Sequence, residues 1–381
     1  MPAPTSELVI GLMSGTSLDG VDGALVDFSG MDTASGPRLQ VRAFCSLPMP
    51  PALRAELLQL NTPGPNELHR AALAGNALAR LYAQAVDQLL QAGGVPAPTV
   101  RAVGVHGQTV RHRPGEFDGT GYTVQLNQGA LLAELCGMDV VADFRSRDVA
   151  AGGQGAPLVP PFHQAVFGSP SEARAVLNIG GISNITVLDA TAAVPVMGFD
   201  CGPGNALMDS WCQTHTGAAF DADGQWARSG RVHATLLQRL ASEPFFQRPA
   251  PKSTGRDLFN RDWLQAHLEG VGTVAAVDVQ ATLTELTAQS CAHSLRQTAP
   301  ACQTLLVCGG GAYNGWLMER LQQHLPHCRV ATTAELGLPP QQVEACAFAW
   351  LARQHLRHQP ASLKSVTGAQ GARILGCLYP A

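Results

Sequence analysis

Short apolar runs alternate with glycine-rich turns along this chain, and longer stretches with leucines at helical spacing lie between them. Leu8, Val9 and Ile10 enter a turn that holds Gly11, Ser14, Gly15, Thr16, Ser17, Asp19 and Gly20, and a second apolar run follows at 24–28. Leu39, Val41, Ala43 and Cys45 alternate with Gln40, Arg42 and Phe44. That period of two predicts a third strand. Residues 50–60 and 65–91 read as helices; the second carries Leu78, Leu81, Tyr82, Ala85 and Leu89 on one face and stops at Gly93-Gly94. Pro65 suits the first helical position. Residues 100–105 are a buried strand ending at Gly107-Gln108-Thr109, and 111–139 hold a hairpin and a helix over 129–136. Residues 140–142 then lead into a loop that mixes charge and glycine, Asp143 to Asp148 and Gly152 to Gly155.

The opening pattern then returns. Residues 175–179 run into Gly180-Gly181-Ile182-Ser183-Asn184, 185–189 follow, and 194–199 make a third strand. Asp200 closes that strand before Gly202-Pro203-Gly204-Asn205 opens a helix with Leu207, Met208, Trp211 and Cys212. Polar loops are expected at 220–224 and 251–256, a long helix at 278–296, and a buried strand at 305–308 that ends in Gly309-Gly310-Gly311. Helices near 315–325 and 341–356, the latter carrying Glu344, precede a glycine-rich tail at 365–378. Each half begins strand, turn, strand, strand, which is a duplication at the level of the fold.

A chain of 381 residues exceeds one ordinary core, so two domains are expected. An apolar fraction of 45% with 14% charged residues fits a globular protein. The net charge of -4 gives no basic surface for nucleic acid. None of the ten cysteines forms a C-x-x-C pair, which argues against zinc ribbons and redox motifs. No signal-peptide pattern and no run of about 18 apolar residues is present, so the expected setting is cytoplasmic, with no membrane partner.

Glycine-rich turns after strands let bare N–H groups approach an anion. No GxxxxGK[ST] loop occurs, so a phosphate-holding hairpin is expected in place of a P-loop. The turns at 11–20 and 180–184 can clamp a polyphosphate, and Gly309 to Gly311 can let an adenine ring lie against the backbone. Asp200 either caps the helix behind it or serves as a base. Asp19 is either a turn former or a contact for hydrated Mg²⁺. Arg145 or Arg147 could fork a carboxylate, or Arg147 and Asp148 could be a structural ion pair. Glu344 either lies at the helix edge in solvent or faces a site, and His106 is structural or a substrate contact.

The order of the three turns resembles the actin/hexokinase/Hsp70-type ATPase superfamily. Within it, the stretches GLMSGTSLDG (11–20), HGQT (106–109), ADFR with RDVAAGGQG (142–155), GFDCGPGN (198–205), PKSTGR (251–256) and CGGGAYN (308–314) resemble the anhydro-N-acetylmuramic acid kinases over essentially the whole chain. The resemblance implies an α/β fold of two duplicated actin-like (ribonuclease H-like) domains with an interdomain ATP cleft. Expected boundaries are 1–138 with 358–381, and 139–357. It implies that ATP and water open the 1,6-anhydro ring of anhydro-N-acetylmuramic acid, giving N-acetylmuramic acid 6-phosphate, an intermediate of cell-wall recycling. Asp200 would be the base. Ser14, Gly15, Thr16, Ser17, Leu18, Asp19, Gly20 and Val21, with Gly180, Gly181, Ser183, Asn184, Gly309, Gly310, Gly311 and Asn314, would hold ATP. Asp19 would meet Mg²⁺, through water or directly. His106, Gln108, Arg145, Arg147, Asp148 and Glu344 would serve the sugar. A homodimer is left open. The rival readings are a kinase of the same superfamily for another sugar or small acid, and a non-catalytic ATP-binding switch.

Overall fold

Strands β1 (Leu8–Met13) and β2 (Gly20–Asp27) form an antiparallel hairpin, and β3 (Gln40–Pro48) continues it on the β2 side. The computed structural model describes residues 6–32, 39–190, 195–255 and 258–381. On the other side of β1 come β4 (Val100–Val105) and, beyond a two-stranded hairpin of β5 (Gln108–Pro114) and β6 (Gly121–Leu126), β7 (Val140–Ala142), each parallel to its neighbour. The second half repeats this arrangement. β8 (Arg174–Ile179), β9 (Ile182–Leu188) and β10 (Met197–Pro203) are antiparallel, and β11 (Thr304–Cys308) and β12 (Arg329–Thr332) add in parallel beside β8. The orders β3-β2-β1-β4-β7 and β10-β9-β8-β11-β12 are the same path drawn twice, with β13 (Cys377–Tyr379) added at the β7 edge of the first sheet. The fold is α/β, and the duplication expected from the turns is present in the strand pairing.

The chain divides into two compact units, residues 1–166 with 342–381, and residues 167–341. These bounds differ from the expected 138/139 and 357/358. Residues 140–142 pair with β4, so that stretch stays with the first unit. The helix Val343–Leu356 also belongs there, because it packs on β1 and β4. Two glycines permit that packing. A Cβ on Gly11 would lie 1.9 Å from the Ala345 carbonyl oxygen, and one on Gly104 would lie 2.2 Å from that of Phe348. The apolar positions of β1 and β2, Ile10, Leu12, Val21 and Leu25, form one core with Leu78, Tyr82 and Leu89 of the helix Glu67–Gly93. In the second unit Leu177, Ile185 and Phe199 pack with Leu283 and Leu286 of the helix Ala276–Thr298 and with Phe245, Phe246 and Phe259.

Local differences from the sequence expectations have physical causes. The long helix starts at Glu67, not at Pro65, because Asn66 sits at φ 55 just before it. Ile182, Ser183 and Asn184 belong to β9, so the second turn is only Gly180-Gly181. β10 runs on through Pro203, which puts Asp200 inside a strand. The charged stretch after β7 contains a short helix, Ser146–Ala150. Arg256, in the PKSTGR stretch, and Val194, the expected start of the third strand, lie outside the described residues.

The glycine contacts give a stability test. Gly104→Ala should lose about 2–4 kcal/mol, because backbone faces the new methyl and cannot yield as a side chain would. Gly137→Ala, at φ 60 with nothing within 4 Å, should lose only about 1 kcal/mol. Urea midpoints measure both, and equal losses would show that the helix does not lie this close to β4.

Candidate active site

The first turn is held from behind. Tyr82 is fully buried, and its hydroxyl lies 2.8 Å from Ser14 Oγ, which donates to the Gly107 carbonyl at 3.2 Å. Ser14 has one proton and spends it on Gly107, so Tyr82 is the donor to Ser14. Gln108 Nε2 and the Leu18 N–H both donate to the Gly15 carbonyl, at 3.2 and 3.1 Å. Leu18 is buried at φ 58, a conformation that costs a branched side chain energy and that clusters at functional sites. Its side chain anchors the turn in the core, as does buried Val21. The Ser14 and Gln108 side chains therefore shape the turn from inside. Thr16 and Asp19 are exposed, and Gly15, Ser17 and Gly20 are half-buried. These are the groups of the expected ATP set that the turn presents outward.

In the second unit the Gly180-Gly181 turn is laced to the helix Asn205–Thr216. The N–H groups of Gly204 and Ala206 donate to the Gly181 carbonyl at 3.0 and 3.3 Å, and that of Asn205 to Gly180 at 2.7 Å. Gly204 must be glycine here, since a Cβ would lie 2.2 Å from the Gly180 oxygen. Asn205 Nδ2 donates to the Ile179 carbonyl at 3.2 Å, and its amide lies beside Gly310 and Gly311. Gly309, at φ 77, follows β11, and a side chain there would strike Asn178 Oδ1. Thus the second turn and Gly309, Gly310 and Gly311 gather around the start of one helix, whose first N–H groups are spent on the Gly180 and Gly181 carbonyls. Ser183 is buried and donates to the Pro203 carbonyl at 3.4 Å, while Asn184 is half-buried on β9. The Asn314 side chain caps the next helix through Leu317 N–H at 3.0 Å. These two side chains are committed to the fold.

Asp200 does not cap a helix; the residue at that position is Gly204, and it makes no side-chain cap. It lies at a register shift of β10 against β9, between Asp200 and Gly202, on the edge of the sheet. Such irregularities re-aim a side chain. The loop behind it grips the backbone, with Asp200 N–H donating to the Lys252 carbonyl at 3.0 Å. The same loop grips the carboxylate, since Ser253 Oγ and Thr254 N–H donate to Oδ2 at 3.1 and 2.9 Å. Burial pushes the carboxyl up to about 6, and the two donors oppose that rise without cancelling it. A carboxylate poised near neutral pH is what a general base requires.

A charged cluster lies in the first unit. Arg145 donates to His106 Nε2 through Nε at 3.0 Å and Nη2 at 2.8 Å, and to the Gly155 carbonyl at 2.6 Å. Arginine only donates, so His106 Nε2 accepts and the ring proton sits on Nδ1. Burial and the Arg145 charge hold His106 down at about 3, and it stays neutral. Burial lowers Arg145 to about 10, against the pull of Glu344 and Asp148. Glu344 is half-buried in the first turn of its helix, not at a solvent edge. Burial, then Asp22, raise its carboxyl, and Arg145 lowers it. Asp22 is itself raised by burial and by Asp19, against a hydrogen bond from Ser46. Asp148 is buried and fully used, accepting from Gly155 N–H at 2.8 Å and from Thr367 Oγ at 2.8 Å. Arg147 is exposed and Asp148 is bonded to Gly155 and Thr367, so of the two readings of this pair the structural Arg147–Asp148 ion pair is not seen among the described residues. Asp148 instead shapes the 152–155 turn, where a Cβ on Gly153 would lie 2.2 Å from its Oδ2.

Among the described residues no group of three or more His, Cys, Asp or Glu side chains is placed to hold a metal ion. Mg²⁺ carried by a triphosphate takes its oxygens mainly from phosphate and water, so a single exposed carboxylate such as Asp19 fits that role. Several site residues escaped the sequence reading. Tyr82 looked like one more apolar position of its helix. Asn205 looked like a helix start, and Ser253 and Thr254 stood in a noted motif without a role. Only the loop's return to β10 reveals what they touch.

The family model described as "AnmK: Anhydro-N-acetylmuramic acid kinase" matches residues 7–381. The anhydro-N-acetylmuramic acid kinase of Variovorax paradoxus (strain S110) is 61% identical over 98% of this chain and 99% of its own. That of Albidiferax ferrireducens is 60% identical over 99% and 100%, and that of Ralstonia nicotianae 56% over 99% and 98%. Among solved structures, a ROK family glucokinase from Streptomyces griseus in complex with glucose and AMPPNP has a TM-score of 0.41 at 15% identity, covering 91% of this chain and 99% of that one. With the family match running from residue 7 to 381, the chain belongs to the anhydro-N-acetylmuramic acid kinase family.

Proposed function

We propose that this protein uses ATP and water to open the 1,6-anhydro ring of anhydro-N-acetylmuramic acid and to phosphorylate O6, giving N-acetylmuramic acid 6-phosphate and ADP. The observation that carries the reading is the family match over residues 7–381. The geometry around Asp200 supports it. In the step we assign, Asp200 takes a proton from a water whose oxygen attacks the anomeric carbon. The bond from that carbon to O6 breaks. O6 then takes the γ-phosphoryl group, and ADP leaves. Catalysis of such a transfer is mainly positioning and charge stabilisation. Backbone N–H groups of the turns after β1 and β8 would hold phosphates, with Thr16, Ser17 and Asp19 on the first turn. Asp19 would meet hydrated Mg²⁺, which supplies charge neutralisation at the phosphates.

We assign Arg145 to the sugar's lactyl carboxylate. Its guanidinium is oriented by His106 and Gly155 and has no directly bonded carboxylate partner among the described residues. Glu344 and the backbone near Gln108 would take hydroxyl or amide groups. No helix among the described residues is long and apolar enough to cross a membrane. We place the reaction in the cytoplasm and in cell-wall recycling, on the strength of the family alone.

Protein, ATP, Mg²⁺ and the anhydro sugar should yield ADP and a phosphorylated sugar with a free reducing end in equal amounts. Phosphorylation of a different hexose with no reaction of this sugar would overturn the assignment. Asp200→Asn should cut turnover by about three orders of magnitude or more and leave ATP binding nearly intact, checked by single-turnover assay and calorimetry. The base must be deprotonated, so kcat/KM should fall about tenfold per pH unit below about 6 and level off above it. The same shift has a cost in stability. A carboxyl raised from 3.8 to about 6 favours the protonated folded form, so it penalises folding above about pH 6, and the penalty vanishes below 3.8. At pH 8 that penalty is at most about 3 kcal/mol, so Asp200→Asn should raise the melting temperature by a few degrees there and change little at pH 4.

A further inference from the structure

Asp200 has two carboxylate oxygens, and the fold treats them differently. Oδ2 accepts from the Ser253 hydroxyl at 3.1 Å and the Thr254 N–H at 2.9 Å, while no described residue donates to Oδ1. The segment that supplies these donors is itself fastened. Lys252 lends its carbonyl to the Asp200 N–H at 3.0 Å. Its ammonium donates to the carbonyls of Phe245 and Phe246, at 3.3 and 3.1 Å, and lies 4.7 Å from the centre of the Phe245 ring. Residues 252–254 are thus a strap across the irregularity of β10, tied at the Lys252 end to the aromatic cluster of the second unit. The Thr254 donor is backbone and is present whatever the side chain. The Ser253 donor is a side chain and can be removed alone.

We infer that Ser253 is a positioning residue for the reaction: its hydroxyl, with the Thr254 N–H, holds Oδ2 of Asp200 and reserves Oδ1 for the proton of the attacking water. The inference rests on Asp200 being the base. A hydrogen bond to the charged form of an acid makes that form easier to reach. Burial alone would leave Asp200 protonated over more of the neutral range, and Ser253 moves its working range down. Among the described residues the other titratable groups near Asp200 are few. Cys201, next on its strand, is a buried thiol pushed well up. Lys252 and Arg248 lie on the strap side, with the Lys252 ammonium turned to the Phe245 and Phe246 carbonyls. His293 is on the helix Ala276–Thr298, lowered by burial and by the Arg296 and Lys252 charges. None of these four is among the causes of the Asp200 shift, so among the described residues hydrogen bonding is what opposes burial there.

The experiment is the pH dependence of kcat/KM for the wild type, Ser253→Ala, Ser253→Thr and Asp200→Asn, with ATP affinity measured for each. Ser253→Ala should move the acid limb up by about half to one pH unit, which lowers the rate several-fold at pH 6 and little at pH 8. Ser253→Thr keeps the hydroxyl and should return the limb to within a few tenths of a unit of the wild type. An alanine variant with an unmoved limb, or one slowed equally at every pH, would overturn the role of Ser253. Full turnover by Asp200→Asn would instead remove the base assignment itself, so the two failures can be told apart. Unchanged ATP affinity in Ser253→Ala shows that the variant is folded.

Discussion

Keeping a half-buried carboxylate available for ionisation is the constraint on which the second unit turns. Removal from water makes Asp200 a stronger base, yet it also favours the neutral acid that can no longer act. The fold resolves this with a side chain on an edge strand, an irregular register that aims it, and two donors on one oxygen only. The aromatic cluster of Phe245, Phe246 and Phe259 supplies the apolar wall behind the strap. Apolar packing and the chemistry we assign to Asp200 are therefore parts of one arrangement, and loosening either alters the other.

The first unit applies a different rule. In the reading proposed above its turn presents backbone to an anion, and some of its side chains turn inward to hold it. Ser14 and Leu18 are drawn inward by Tyr82 and the core, and the outward face is left to glycine, Thr16, Ser17 and Asp19. Hydroxyl residues in such a turn look alike in a sequence, but their neighbours divide them into holders and presenters. The same division separates Arg145, which is oriented by His106, from Asp148, which is spent on holding its own loop.

Much of this was legible in the sequence. Period-two and leucine-spaced patterns gave the strands and long helices, because burial on one face imposes those periods. The repeat of strand, turn, strand, strand announced the duplication that the pairing order shows. The helix Val343–Leu356 was legible as a helix, but its membership of the first unit was not. That membership depends on backbone contact at Gly11 and Gly104, and a lone glycine in a strand does not say what approaches it. Asp200 was visible as a candidate, whereas Ser253 became visible only when a loop some fifty residues later in the chain returned to β10. Hydrogen bonds between distant segments carry no periodic signal.

The helix that presses on β1 and β4 has a consequence for the order of assembly. The second unit is continuous, from 167 to 341, so every strand and helix it needs is available once that stretch has left the ribosome. The first unit is not. Its opening strands are synthesised first, yet the helix that covers them comes about three hundred and thirty residues later. Domains generally fold as units during synthesis. The hairpin to which we assign phosphate binding is therefore made well before the helix that encloses it, and the unit bearing Asp200 can complete its core first.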